Sequence, residues 1–134
     1  MLGLGVMVKT LCGNEITVKA VTSSLGKVIK QVGLKTDDNI LVFEFTDGTG
    51  LRMFDGGQSC CEVRYMVTDD DLTEFYGATL LDFEIKSAPN IEDQYGEHEV
   101  QFLDVKTDKG IFQMANHNEH NGYYGGFWIE AQLS

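Results

Sequence analysis

The sequence predicts an α+β, mostly β fold: an antiparallel sheet with one or two short helices. Three observations carry that reading. Leu41, Phe43 and Phe45 alternate with Val42, Glu44 and Thr46, and Asp47-Gly48 supply turn chemistry before Leu51-Arg52-Met53-Phe54 return. A second turn, Thr107-Asp108-Lys109-Gly110, joins a strand around Glu99–Lys106 to one over Ile111–Ala115. Fifteen glycines against one proline, Pro89, punctuate the chain into short segments and favour turns over long helices.

From the amino end, the stretch Lys9–Thr22 is ambiguous. Its β-branched residues favour a strand, but the period is poor. Strands are expected at Lys27–Val32, Ala78–Lys86 and Gly126–Gln132. Within Ala78–Lys86 strict alternation puts Thr79, Leu81, Phe83 and Ile85 on one face and Asp82, Glu84 and Lys86 on the other. A helix of about two turns is expected after Thr68, which can cap it with Asp71 three residues on. Asp69 and Asp70 suit the positive end of its dipole, Leu72, Phe75 and Tyr76 fall at helical spacing, and Gly77 stops it. Ala88–Gly96 reads as an acidic loop, and Asn116–Asn121 as a polar one. No linker or repeat divides the chain, so residues 1–134 are read as a single domain.

Composition narrows the function. Ten Lys and Arg against 21 Asp and Glu leave a net charge of −11. That field repels nucleic acid polymers, so no such partner is expected, and an anionic ligand needs local donors that outweigh the global charge. No apolar run approaches the roughly 20 residues of a membrane span, and no basic segment precedes the mildly apolar start. Three cysteines, Cys60 and Cys61 adjacent, make no disulfide framework. A cytoplasmic, reduced protein without membrane contact is the expectation.

The densest polar cluster is Asn116-His117-Asn118-Glu119-His120-Asn121, followed by Gly122-Tyr123-Tyr124-Gly125-Gly126-Phe127-Trp128. Amides offer donors and acceptors, rings offer stacking faces, and glycines allow close approach, which suits a base or ribose. The same stretch also reads as a turn-rich connection into a last strand whose aromatics fill the core. His117 and His120 with Glu119 admit a metal reading, but their spacing and the adjacent cysteines fit a zinc site badly, and no metal or cofactor is expected. Arginine occurs only at Arg52 and Arg64. Arg64 is the phosphate candidate, since a guanidinium fork matches phosphate oxygens. Arg52, inside a predicted strand, reads as a surface ion pair. Phe83 stands on the apolar face of its strand and reads first as core. It would stack on a ligand only where the sheet opens at a subunit interface. No nucleophile elbow, P-loop, dinucleotide fingerprint or zinc-protease motif is present, and the roles of nucleophile, base and oxyanion donor cannot be filled.

Asp55-Gly56-Gly57-Gln58-Ser59-Cys60-Cys61, Gly77-Ala78-Thr79-Leu80-Leu81 and Asn121-Gly122-Tyr123-Tyr124-Gly125-Gly126 together resemble the phage Thoeris anti-defence sponge family, over residues 38–128. The resemblance implies a protein that sequesters a cyclic nucleotide immune signal without cleaving it. Cyclic ADP-ribose isomers are the implied ligands, with cyclic oligonucleotides at a separate site. It further implies self-association as a dimer or hexamer, with pockets near subunit interfaces. Carried over by motif, Asn121, Tyr123 and Tyr124 line or shape a pocket and Arg64 meets phosphate. His117, Asn118, His120 and Phe83 complete the candidate set. Relatives tend to carry Arg-Asn-Ser-Ser-Asn before Gly-Tyr-Tyr. Here Glu119 enters and an arginine is lost, so His117 and His120 are the substitutes there, with pH dependence near 6.5. Two other classes compete: an inhibitor of a host defence complex acting by protein contact, and a metal-dependent enzyme using His117, His120 and a carboxylate.

Overall fold

The computed structural model describes residues 15–56, 62–87, 91–93, 96–120 and 127–134. The described residues begin with α1 (Glu15–Ser24) and continue through β1 (Ile29–Lys35), β2 (Ile40–Phe45), β3 (Gly50–Asp55) and β4 (Glu62–Val67). A single 3-10 turn, Leu72–Phe75, leads to β5 (Leu80–Ser87), β6 (Ile91–Asp93), β7 (Gly96–Thr107), β8 (Gly110–His120) and β9 (Ile129–Leu133). The fold is α+β and mostly β, as the alternation predicts, but its strands form two antiparallel sheets. Sheet I runs β1-β2-β3-β9 and sheet II runs β4-β8-β7-β5, with β6 paired to β7. Both expected hairpins are present, with Leu41 opposite Met53 in one and Thr107 opposite Gly110 in the other.

Four phenylalanines mark where the sheets meet. Phe43 of sheet I stacks beside Phe45 at 6.0 Å, meets Phe83 of sheet II edge-on at 6.0 Å, and lies 6.3 Å from Phe112. All four rings are fully buried, with Leu41, Leu51, Met53, Leu103 and Met114 around them. Such ring pairs add about 0.5–1.5 kcal/mol each beyond the area they bury.

Five local expectations change. The stretch that favoured a strand near the amino end is helical from Glu15, because Thr17, Ala20, Val21 and Ser24 form its buried stripe at helical spacing. Two of these are hydroxyl residues, invisible to an apolar count. Ser24 donates to the Ala20 carbonyl at 2.8 Å, and Thr17 accepts from the Ala131 amide of β9 at 3.2 Å. After Thr68 there is one 3-10 turn rather than an α-helix. Asp71 caps it by accepting from the Thr73 amide, whereas the Thr68 hydroxyl bonds the Gln113 carbonyl of β8. In β5 a register shift between Leu80 and Asp82 breaks the alternation. Leu80 and Phe83 are buried and Leu81 is 52% exposed, so Leu81 leaves the face assigned to it. The acidic loop contains β6, which pairs with the start of β7. The polar loop at 116 is strand through His120, since β8 is the central strand bonded on one side to β4 and on the other to β7.

Candidate functional site

Alternation along β8 decides what can gather. Phe112, Met114, Asn116 and Asn118 point into the protein, and all four are buried. Their neighbours on β7 change in step: Val105 and Leu103 face Phe112 and Met114, and Gln101 and Glu99 face Asn116 and Asn118. On β4, Met66 lies opposite Asn116 and Arg64 opposite Asn118. The interior of sheet II is therefore apolar at one end and polar at the other. Polar groups are tolerated inside only where they find partners.

Arg64 and Asp55 answer that requirement across the sheets. The Arg64 Nη1 lies 2.8 Å from Oδ1 and 2.9 Å from Oδ2 of Asp55, and both side chains are at most 10% exposed. Asp55 also accepts from the Trp128 amide at 3.1 Å, which ties the approach to β9 to the same point. Arg52, earlier on β3 than Asp55, donates from Nη2 to Oε1 of its cross-strand partner Gln132 at 2.8 Å. It is therefore not the surface ion pair expected of it. Its Nε is buried and meets no acceptor among the described residues.

A cavity of about 310 Å³ lies where β3 and β9 approach the edge of β4. Its walls include Arg52, Phe54, Asp55, Arg64, Met66 and Asn116, with Asp38 and Asn39 of the β1–β2 turn and Ile40 at the start of β2. Asn39 adopts a positive φ of 54° there and accepts from the Met66 amide at 3.1 Å, clipping the turn to the outer edge of β4. The volume sits at the lower end of the roughly 300–1,000 Å³ typical of small-molecule sites. Both arginines of a chain carrying −11 thus line this one cavity, and Asp38 and Asp55 line it too. Local charge there is close to balanced, in contrast to the rest of the molecule.

The histidine cluster goes elsewhere. His117 and Glu119 point to the outer face of sheet II, opposite Tyr65 and Val63 on β4 and Val100 and His98 on β7. The His117 ring stacks on Tyr65 at 4.6 Å and 5°, and its Nδ1 lies 2.7 Å from Nε2 of His98. Burial, then the His98 charge, lowers the His117 pKa, with Glu119 opposing. Burial and then the hydrogen bond to Glu119 raise that of the Tyr65 hydroxyl. Among the described residues no cluster of three or more groups is placed to hold a metal ion.

Of the residues singled out in the sequence, Arg64 reaches the cavity wall. Asn118 lies buried on the same inner face, and His117 faces the other way, so it cannot substitute for an arginine at this cavity. The backbone of His120 ends β8 opposite Glu62 and Glu97. Phe83 is core, 1% exposed and packed edge-on to Phe43, and presents no face to a ligand. Asn121, Tyr123, Tyr124, Cys60 and Cys61 lie outside the described residues. Arg52 and Asn116 were not among the candidates. The signal for Arg52 was the scarcity of arginine itself.

Residues 22–128 match a family described as "Domain of unknown function (DUF7448)". The chain belongs to that family. No curated protein and no solved structure matches it. Among the described residues no helix is long and apolar enough to cross a membrane.

Proposed function

We propose that this protein captures a small phosphate-bearing ligand of the cyclic nucleotide class at the Arg52–Arg64 cavity and holds it without chemical change. The observation that carries this reading is the convergence of the chain's two arginines on one cavity in a strongly acidic protein. Guanidinium groups are more weakly hydrated than ammonium groups, so they give up water more readily, and they meet phosphate oxygens through paired donors. Arg64 is held in place by Asp55, so it shapes the wall and contributes field. Arg52, bonded only to a neutral amide among the described residues, is the group with charge to offer an anion.

The motif resemblance supports the ligand class, a cyclic ADP-ribose isomer or a cyclic oligonucleotide. It also supports the biological role: a phage protein that removes an immune signal from the host cytoplasm, assembled as a dimer or hexamer. Capture needs shape and donors rather than a tuned base, and the cavity wall offers guanidinium, amide and ring groups.

Calorimetry with a panel of cyclic ADP-ribose isomers and cyclic oligonucleotides tests the proposal. Saturable binding, chromatographic recovery of intact ligand after heating, and loss of binding in Arg52→Ala are expected. No heat with any member of the panel at high protein concentration overturns the reading, and a degraded ligand replaces capture with catalysis.

A further inference from the structure

We infer that the Arg52–Arg64 cavity selects a ligand carrying both an anion and a hydrogen-bond donor, a nucleotide rather than a bare phosphate ester, and that Asn116 reads the donor. The inference rests on the capture reading above and names what that site discriminates.

Asn116 is 1% exposed, lies on the inner face of β8 and contributes to the cavity wall. Its Nδ2 donates to the Gln101 carbonyl at 3.3 Å. That bond orients the amide, since exchanging its ends would set two oxygens against each other. The Oδ1 is thereby fixed as an acceptor, and it is buried with no partner among the described residues. A buried amide oxygen without a donor is costly and uncommon. The Nε of Arg52 is its mirror: a buried donor without an acceptor on the same wall.

An unmet donor and an unmet acceptor on one cavity are complementary to a single class of molecule. An anionic oxygen accepts from the Arg52 guanidinium, which swings its Nε edge toward the cavity. A hydroxyl or exocyclic amine on the same ligand donates to Asn116 Oδ1. A site built to pair a donor discriminates strongly against an analogue lacking it, because its own acceptor is then left buried and unpaired. Neither atom reaches solvent as the side chains stand, so the Asn116 amide turns toward the cavity as the ligand enters, as the Arg52 guanidinium does.

The test compares adenosine 5′-monophosphate with phenyl phosphate, which carries a dianion and a ring but no donor, at a mildly alkaline pH. The folded protein is expected to prefer the nucleotide by about tenfold or more. Asn116→Leu is expected to weaken nucleotide binding about tenfold and to leave phenyl phosphate within about twofold, while Arg52→Lys weakens both. Should Asn116→Leu not fold, the ligand is varied instead. Of the analogues lacking the 6-amino group or the 2′- and 3′-hydroxyls, at least one loses about tenfold in affinity. Equal affinity of the wild-type protein for nucleotide and phenyl phosphate overturns the inference and leaves the capture reading standing. So does an equal loss for both probes in Asn116→Leu, or undiminished binding of both analogues. Failure of the wild-type protein to bind either probe overturns the inference, and the capture reading is then decided by the cyclic nucleotide panel alone.

Discussion

The Arg64 guanidinium bridges both carboxylate oxygens of Asp55 and so pins the edge strand of sheet II to the end of sheet I. Both groups are largely withdrawn from water, and the carboxylate also fixes the Trp128 amide. Such a pair contributes little net stability when made, but removing one member leaves a charge buried.

Arg64→Ala is therefore expected to cost about 3–5 kcal/mol in urea denaturation, far more than loss of a surface pair. An unfolding midpoint equal to that of the wild-type protein would contradict this. The size of the effect also explains why Arg52, not Arg64, is the variant on which a binding test rests.

The interrupted alternation in β5 makes two adjacent-looking apolar residues unequal. Phe83→Ala opens a hole beside Phe43 and should cost about 3–5 kcal/mol. Leu81→Ser, on the exposed side of the bulge, should stay within about 0.5 kcal/mol. Thermal melts of the two variants decide it, and a Leu81 variant as damaging as the Phe83 one would mean that the register shift is absent in solution.

Asn39 joins two demands in one residue, a left-handed backbone and a side-chain acceptor for the Met66 amide. Asn39→Gly keeps the first and loses the second. Asn39→Ala loses both, so it should be the less stable of the pair by about 1 kcal/mol. Chemical denaturation of both variants gives the order, and the reverse order would remove backbone strain from the account.

The lowered pKa of His117 has a sign that can be measured. Its neutral form is favoured in the folded state by burial and by His98, so the unfolded chain binds the proton first as pH falls. The stability it contributes is complete above its ordinary value near 6.5 and is lost as pH drops from there toward the lower folded value. Thermal melts at pH values of about 7.5 and 5.5 should show the wild-type protein losing stability. His117→Phe retains the stack on Tyr65 and should shrink that loss. An equal loss in the variant would place the titration elsewhere.

The hairpin at Asp47-Gly48 and the turn at Thr107–Gly110 were legible because alternation and turn chemistry act within a few residues of one another. The scarcity of arginine was legible for the same reason that net charge is, since both are counts. The helix at Glu15 was not, because Thr17 and Ser24 bury themselves through bonds to the Ala131 amide and the Ala20 carbonyl, and a hydropathy pattern does not register them. Asn116–His120 looked like a loop because five polar residues in a row rarely make a central strand. They do here because one face meets a polar cavity and the other meets Tyr65 and His98.

Local order thus came from the chain: strands, turns, charge balance and the mostly β character. Tertiary packing decided which polar side chains became neighbours. The pleat sends His117 and Asn118 to opposite faces, and the meeting of β3 with the edge of β4 brings Arg52, Arg64 and Asn116 to one cavity. Register between strands from distant parts of the chain sets that juxtaposition, and no short window of sequence encodes register.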